Sequence, residues 1–330
     1  MSFQLALLRN RFGRSTVNFP DWQEFEESIL KDPEVVSLYP SKPYQVLSSA
    51  GFSFMRKLGK VFGRPGPYEL PLRSPYTIRV AILGGTAFRR CPDFIRKGCK
   101  VAYLFDPAPP WVSCEGIAEF VAHTGIKLLF VPHPVFRDRL KPILKDCEVF
   151  YVPEAVDPEG YQWSQSKPID LLSFGRKLKP YHNDLVSRLP ESVNYQYGYI
   201  EDRSGLIAAL RDAKIILNFP RSMTEPNQLA ENDLDVEMVT MRYFQSIASK
   251  ALLLGKCPPL LEELFGYNPM ITADLENPVD QILDLLKNYD DYQPLIERNY
   301  EQLVSRHTYF QRWQEMKAII QKVVAKPLAV

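Results

Sequence analysis

A short basic segment follows an apolar run near the middle of the chain. Residues 169–174 (IDLLSF) predict a buried strand, and the segment after it contains Gly175, Arg176, Lys177 and Lys179. Arginine donates to two phosphate oxygens at once and lysine supplies a point charge, so these residue types suit a phosphate group. Fixed cations also stabilise the charge that builds up on a departing diphosphate. The alternative is a basic turn that is only hydrated.

A second pair of polar residues lies in the stretch 233–255. Glu237 and Gln245 are separated by seven residues, in a run whose apolar residues recur at steps of three and four: Val236, Val239, Tyr243, Phe244, Ile247, Ala248 and Leu252. This period predicts a half-buried helix that starts between Asn232 and Asp235, where open N–H groups attract phosphate. Along such a helix the pair is about 12 Å apart, roughly the reach from a ribose to a sugar beyond a diphosphate. The alternative is an ordinary core helix.

Elements that position these residues alternate along the chain. Apolar, β-branched runs start at Thr77, Lys100, Lys127 and Glu148, and a second series occupies 169–174, 193–197, 214–218, 251–254 and 270–272. Strands separated by stretches long enough for helices predict parallel sheets, whose ligands bind beyond the carboxyl ends of the strands. The first fifty residues predict a strand at 3–8, a helix at 22–30 and a short strand at 44–48.

The segment 242–254 (RYFQSIASKALLL) resembles a motif of the group 1, retaining glycosyltransferases of the GT-B fold, R-x-F-E-x-x-A-x-G-x-x-L-L. Gln245 stands at the second of two family glutamates, and Lys250 stands at the glycine. Three further segments are similar to family motifs: 151–158 (YVPEAVDP) to v-x-P-x-G-v-D, 175–179 (GRKLK) to G-R-x-x-x-K, and 307–313 (HTYFQRW) to h-t-y-x-x-R.

The resemblance implies two Rossmann-like parallel-sheet domains facing a central cleft. Its boundaries are an N-terminal acceptor-side domain at 1–156, a linker at 157–168 and a nucleotide-sugar-binding domain at 169–310. The C-terminal helix, 311–330, is expected to pack back across the domain junction. The implied activity moves a sugar from a nucleotide-diphosphate-sugar to a saccharide or small-molecule acceptor.

The resemblance also implies roles for individual residues. The donor would be bound by Gly175, Arg176, Lys177, Lys179, Pro220, Arg221, Arg242 and Gln245, with Gly84 and Gly85 of the N-terminal half approaching its diphosphate. Glu237 would contact the sugar or lie beneath the anomeric carbon, and Asp106 and His133 would contact sugar or acceptor hydroxyls. The structural alternatives are a tight turn at the glycines, a turn aspartate, a loop histidine and a carboxylate at a helix start.

Retention by front-face attack is the implied mechanism, in which the departing phosphate accepts the proton of the acceptor. No cofactor and no metal are expected, because Arg176 and a lysine take the place of a metal ion. The departures at Gln245 and Lys250 leave open a catalytically silent relative that binds a nucleotide or sugar. A sugar-nucleotide epimerase of the same architecture and a nicotinamide-dependent oxidoreductase also stay open, the latter disfavoured because ILGGTAFRR lacks the full G-x-G-x-x-G pattern.

Composition excludes several classes of protein. The 330 residues carry a net charge of +1, with 45% hydrophobic and 24% charged residues, so a dedicated nucleic-acid binder is not expected. The five cysteines form no C-x-x-C pair, which predicts reduced thiols in a cytoplasmic protein. No apolar run is long enough for a membrane span. The basic amphipathic stretch 51–66 (GFSFMRKLGKVFGRPG) fits peripheral contact with a membrane or, alternatively, packing on the core.

Overall fold

Two separate parallel sheets organise the chain. The computed structural model describes residues 4–9, 21–39, 41–63, 66–84, 95–107, 112–200, 202–229 and 236–324. The described residues before Glu154 and after Thr308 form one unit, and Glu154–Thr308 form the other. The predicted fold class, two parallel-sheet α/β units, is confirmed.

The first unit contains a six-stranded sheet in the order β2-β1-β3-β4-β5-β6, with every neighbouring pair parallel. Its elements are β1 (Leu5–Leu8), α1 (Asp21–Ile29), β2 (Val35–Leu38), α2 (Lys42–Val61), β3 (Leu70–Gly84), β4 (Arg96–Phe105), α3 (Cys114–Thr124), β5 (Leu128–Val131), α4 (Pro134–Leu140) and β6 (Glu148–Tyr151). Since β2 and β3 lie on opposite sides of β1, the strand order reverses there, and Gly84 ends a strand at this switch point.

The second unit contains a five-stranded parallel sheet in the order β11-β10-β9-β7-β8. Its elements are β7 (Ile169–Phe174), α5 (Lys179–Arg188), β8 (Tyr195–Gly198), α6 (Arg203–Asp212), β9 (Ala213–Asn218), α7 (Arg221–Thr224), α8 (Met241–Ala248), β10 (Leu252–Gly255), α9 (Pro259–Phe265), β11 (Ile271–Thr272), α10 (Pro278–Lys287) and α11 (Gln293–Arg306). Leucine and isoleucine from β7, β9 and β10 fill its core together with α5 and α10.

The last helix, α12 (Tyr309–Val324), belongs to the first unit and packs on α1. The ring of Tyr309 stacks on Phe25 with centroids 4.6 Å apart, and Trp313 Nε1 donates to Asp32 Oδ2 over 2.8 Å. Lys317 Nζ also donates to Asp32 Oδ2 over 2.7 Å. The end of the chain is therefore fixed to its beginning by aromatic packing and a buried carboxylate.

The predicted strand at 44–48 is wrong, because these residues lie within α2. Ser41 supplies the local reason: its Oγ accepts a hydrogen bond from the backbone N–H of Tyr44, and Pro43 occupies the first turn. These two helix-start signals outweigh the β propensity of a short apolar run. None of the helices in the described part of the chain has the length and hydropathy of a membrane-spanning segment.

Candidate functional site

The carboxyl edge of the second sheet gathers the basic residues that the sequence singled out. β7 pairs directly with β9, while β8 and β10 lie outside them, so the crossovers after β7 and β9 leave in opposite directions. The loops after these two strands begin with Gly175-Arg176 and Phe219-Pro220-Arg221. Such a switch point is where open α/β sheets form a ligand crevice.

Two arginines from these loops share one carboxylate. Arg221 Nε donates to Glu225 Oε2 over 3.1 Å, and Arg176 Nε lies 4.0 Å from the same oxygen. Arg221 Nη2 also donates to Gln228 Oε1 over 3.2 Å. The Glu225 carboxylate thus holds the two arginines close together. An anionic ligand that replaced this carboxylate would bind the same arginines.

Gly175 brings a third arginine to the same place. Its φ of +75° lies in the left-handed region that favours glycine, and a Cβ built on it would lie 3.6 Å from Arg242 Nη1. Arg242 is carried by the first turn of α8. The turn after β7 and the start of α8 therefore place Arg242 beside the Gly175-Arg176 backbone.

Glu237 is held by a residue of α7 and by the residue that follows β10. Its Oε1 accepts a hydrogen bond from Ser222 Oγ over 3.3 Å and forms an ion pair with Lys256 Nζ. Lys256 was not among the predicted site residues. The available signal was its position directly after the buried strand β10 and Gly255, at the same sheet edge as Arg176.

Tyr243 was predicted only as a core residue, and its ring is buried. Its hydroxyl is also buried and has no hydrogen-bond partner within the described ranges. Burial raises the pKa of this phenol above its usual range, with smaller effects from the charges of Arg242, Glu237 and Arg176. The phenol therefore stays neutral and can act as a hydrogen-bond donor. The apolar periodicity of the sequence predicts that the Tyr243 ring is buried, but it does not predict what the hydroxyl group faces.

The predicted start of the key helix between Asn232 and Asp235 is wrong, because α8 begins at Met241. Residues 236–240 are not helical, and Val239 is buried in that conformation. The first N–H of α8 is satisfied by Glu154, whose Oε2 accepts from the Met241 N–H over 2.8 Å. A carboxylate thus occupies the position in which open N–H groups were expected to attract phosphate. Glu237 lies four residues before the helix rather than at its head.

Gln245 and Lys250 show how the two departures from the family motif are accommodated. Gln245 is buried on α8, and its Nε2 donates to the hydroxyl of Tyr161 over 3.0 Å. Lys250 has a left-handed φ of +50°, the conformation that explains a family glycine there. Its Nζ forms an ion pair with Glu297 at 2.7 Å and lies 4.2 Å from the ring centroid of Trp163. The charge contacts offset the cost of the unfavourable backbone.

The remaining donor-site predictions fall in different surroundings. Lys177 Nζ lies over the exposed ring of Tyr197, 4.5 Å from its centroid. Lys179 is exposed at the first residue of α5, and Pro220 is buried as the residue before α7. The structure therefore brings Arg176, Arg221, Arg242 and Glu237 together, while the two lysines have other surroundings.

The predicted residues of the first unit have structural contacts of their own. A Cβ on Gly84 would lie 2.5 Å from the indole of Trp22, which explains the absence of a side chain there. Asp106 is exposed with φ +47° directly after β4. His133 is buried before α4, its Nδ1 accepts from the Val135 N–H over 3.2 Å, and burial lowers its pKa to about 4. Gly85 lies outside the described residues.

Comparison with known proteins relates this geometry to a family. A family model described as glycosyl transferase-like matches residues 164–318, which include all the charged residues from Arg176 to Lys256. Residues 164–318 belong to the glycosyl transferase-like family. The prediction of a glycosyltransferase is confirmed. A comparison with curated proteins finds no match.

Solved structures of glycosyltransferases share the fold along nearly the whole chain. HepE of Anabaena, solved with UDP and glucose, is 8% identical with a TM-score of 0.61, over 97% of this chain and 100% of that one. Sucrose-phosphate synthase of Thermosynechococcus elongatus is 7% identical with a TM-score of 0.58, over 97% and 99%. An alpha-glucosyltransferase solved with UDP-glucose and DNA containing an abasic site is 11% identical with a TM-score of 0.55, over 96% and 98%. The glycosyl transferase-like region thus lies in a chain with the GT-B fold.

Proposed function

We propose that this glycosyltransferase moves a sugar from a nucleotide-diphosphate-sugar to a saccharide or small-molecule acceptor. The observation that carries the proposal is the cluster of Arg176, Arg221 and Arg242 at the switch point of the second sheet. Two guanidinium groups at one carboxylate, with Arg242 beside Gly175, can accept a diphosphate in its place. UDP is the first nucleotide to test, because HepE and the alpha-glucosyltransferase were solved with UDP or UDP-glucose.

In this proposal the charges of the cluster serve two parts of the donor. The arginines bind the diphosphate and stabilise its charge as the bond to the sugar breaks. Glu237, held by Lys256 and Ser222, faces the sugar, where positive charge develops. Gln245 contacts the ribose through its amide oxygen, since its amide nitrogen donates to Tyr161.

The chemical step follows the family resemblance. The bond between the anomeric carbon and the diphosphate oxygen breaks, and a bond from the acceptor oxygen to that carbon forms on the same face. The configuration is retained because the new bond forms on the face from which the diphosphate leaves, and the departing phosphate accepts the acceptor's proton. We assign the charge neutralisation to Arg176 and a lysine without a metal or further cofactor.

The free thiols and the basic stretch 51–66 bear on where the protein acts. The described cysteines, Cys99, Cys114, Cys147 and Cys257, are free thiols, which favours a cytoplasmic site of action. The basic stretch 51–66 supports peripheral contact with a membrane surface.

Calorimetric titration with UDP and with uridine tests the donor site. Arg176→Ala should weaken UDP binding about 10- to 100-fold, because a charge-assisted hydrogen bond contributes about 1.5–3 kcal/mol, and leave uridine binding almost unchanged. The control is Arg188→Ala, which removes an exposed arginine at the far end of α5 that pairs with Asp184 one helical turn earlier. Equal losses for UDP and uridine would remove the phosphate assignment.

A catalytically silent, nucleotide-binding relative is the second candidate, because Gln245 replaces a glutamate and its amide is engaged by Tyr161. Incubation of UDP-glucose with the protein distinguishes the two. Transfer to an acceptor, or slow release of UDP with free glucose of retained configuration, supports the transferase. Binding of UDP without any turnover of a panel of UDP- and GDP-sugars supports the silent relative.

A further inference from the structure

Helix α2 of the first unit has an unusual exposed face. Leu47, Phe54 and Val61 follow one another at seven-residue steps, so they lie almost in line along the 20-residue helix. Their exposed fractions are 71%, 61% and 78%, and Val46 and Phe62 beside them are exposed by 53% and 72%. Single exposed apolar residues are ordinary, but three in line along about 21 Å of helix indicate an interaction surface.

The opposite side of α2 fixes the helix to its unit. Gly59 is buried so closely against Tyr68 that a Cβ there would lie 2.2 Å from the ring, and Phe52 packs edge-on against the same tyrosine. Ser48, on the same side, is buried. The helix therefore already has a packed side, and the apolar stripe is a second, separate face.

Charge identifies the kind of partner. From Val35 to Tyr68 the sequence contains no aspartate or glutamate, and it contains five cations: Lys42, Arg56, Lys57, Lys60 and Arg64. Lys57 and Lys60 are exposed, and Lys57 lies on the side of the helix next to the stripe. Of these two, Lys60 lies 3.6 Å from Glu119 of α3, in a pair whose side chains are both largely exposed. The surroundings of the stripe are thus strongly positive in a chain whose net charge is only +1.

We propose that α2 docks the protein on an anionic lipid surface, with Leu47, Phe54 and Val61 inserted among the lipid chains. A helix lying in the interface buries its apolar stripe, while flanking lysines extend to the headgroups and bind negative lipids. A second copy of the chain fits less well, because two such faces would bring their lysines together without an acidic partner on either helix. This docking surface is independent of the donor site.

Vesicle flotation of the full chain tests the proposal. Vesicles of phosphatidylcholine with 30% phosphatidylglycerol are compared with pure phosphatidylcholine, at 0.1 M and 0.5 M NaCl. We expect binding to the anionic vesicles, at least tenfold weaker binding to the neutral ones, and a loss at high salt. Leu47→Ser with Phe54→Ser should lower the partition coefficient at least tenfold, and Lys57→Glu at least threefold. These residues are exposed, so the variants should keep the thermal unfolding midpoint of the parent.

The control is Leu275→Ser, which removes a leucine of the second unit that is exposed by 54% and should change partitioning less than twofold. Three results would overturn the proposal: no binding to either vesicle, equal binding to both, or equal binding by parent and stripe variants. Light scattering provides a further check. A dimer that dissociates in the Leu47→Ser, Phe54→Ser variant would assign the face to a second copy of the chain instead of lipid.

Discussion

Replacement of Glu225 by glutamine should tighten the binding of UDP. Glu225 Oε2 is the acceptor for Arg221 and lies 4.0 Å from Arg176, so it occupies the cations that we assign to the diphosphate. A bound diphosphate must take these arginines away from the carboxylate. Glutamine keeps one acceptor oxygen and removes the charge, which leaves the arginines easier to recruit.

The size of the expected gain in UDP affinity follows from the two ion pairs of Glu225, one with Arg221 and one with Arg176. Partly exposed ion pairs contribute about 0.2–1 kcal/mol each, and both are lost when the ligand binds. Glutamine retains part of the hydrogen bonding to Arg221, so the net gain is about 1 kcal/mol. This corresponds to roughly fivefold tighter binding. The gain should shrink at high salt, because both the ion pairs and the ligand are then screened.

Isothermal titration calorimetry with UDP at 50 mM and 500 mM NaCl measures this gain. The control is Glu191→Gln, because Glu191 is exposed after α5, at the amino end of β8 and thus at the opposite sheet edge from the cluster. We expect unchanged affinity for the control. Unchanged or weaker UDP binding by Glu225→Gln would show that the carboxylate does not compete with the ligand, and would refute the reasoning.

Three further predictions concern stability. Gln245→Glu should lower the free energy of unfolding by about 1–3 kcal/mol at pH 8, because a buried carboxylate replaces the amide that donates to Tyr161. At pH 5 a protonated carboxyl group can donate to Tyr161, so denaturation at that pH should show a smaller loss. The folded pKa of His133 lies near 4, below its ordinary 6.5, so its contribution is complete above pH 6.5 and is lost as the pH falls towards 4. His133→Asn, which caps the helix without titrating, should flatten the unfolding midpoint between pH 6.5 and 4 relative to the parent; parallel curves would contradict this role. Gly255→Ala should cost about 3 kcal/mol or more in urea denaturation, since its Cβ would lie 1.8 Å from the carbonyl oxygen of Asn218; a loss below about 1 kcal/mol would mean that the two strands separate easily.

Local signals predicted the strands well and the helix start poorly. The run at 169–174 coincides with β7, because a central parallel strand is buried on both sides and reads as a continuous apolar segment. The run at 148–152 contains β6, which lies at the edge of its sheet. The stretch before Met241 has a helical period and polar residues suited to a helix start. Glu154, 87 residues earlier, accepts the first N–H of α8 instead, and no local pattern contains that contact.

The residues of the candidate site, like the helices and strands, were predicted only in part from the sequence. The residue types at Arg176, Arg221 and Glu237 indicated phosphate and sugar chemistry, and the structure joins Arg176 and Arg221 through Glu225. Their roles towards a ligand stay predictions. The position of Lys256 directly after an apolar run was visible in the sequence, but its place near the loop after β9 follows only from the pairing of β10 with β9.

The sequence by itself determined the alternation of strands and helices, the basic turn after β7 and the basic, acid-free character of α2, because these depend on residue type and short spacing. Tertiary structure decided which charges meet, where α8 begins and which face of α2 stays exposed. Each of these depends on groups that are distant in the chain, such as Glu154 at Met241 and Tyr68 under Gly59. Their proximity is fixed by the order of strands and the packing of helices, which no local pattern encodes.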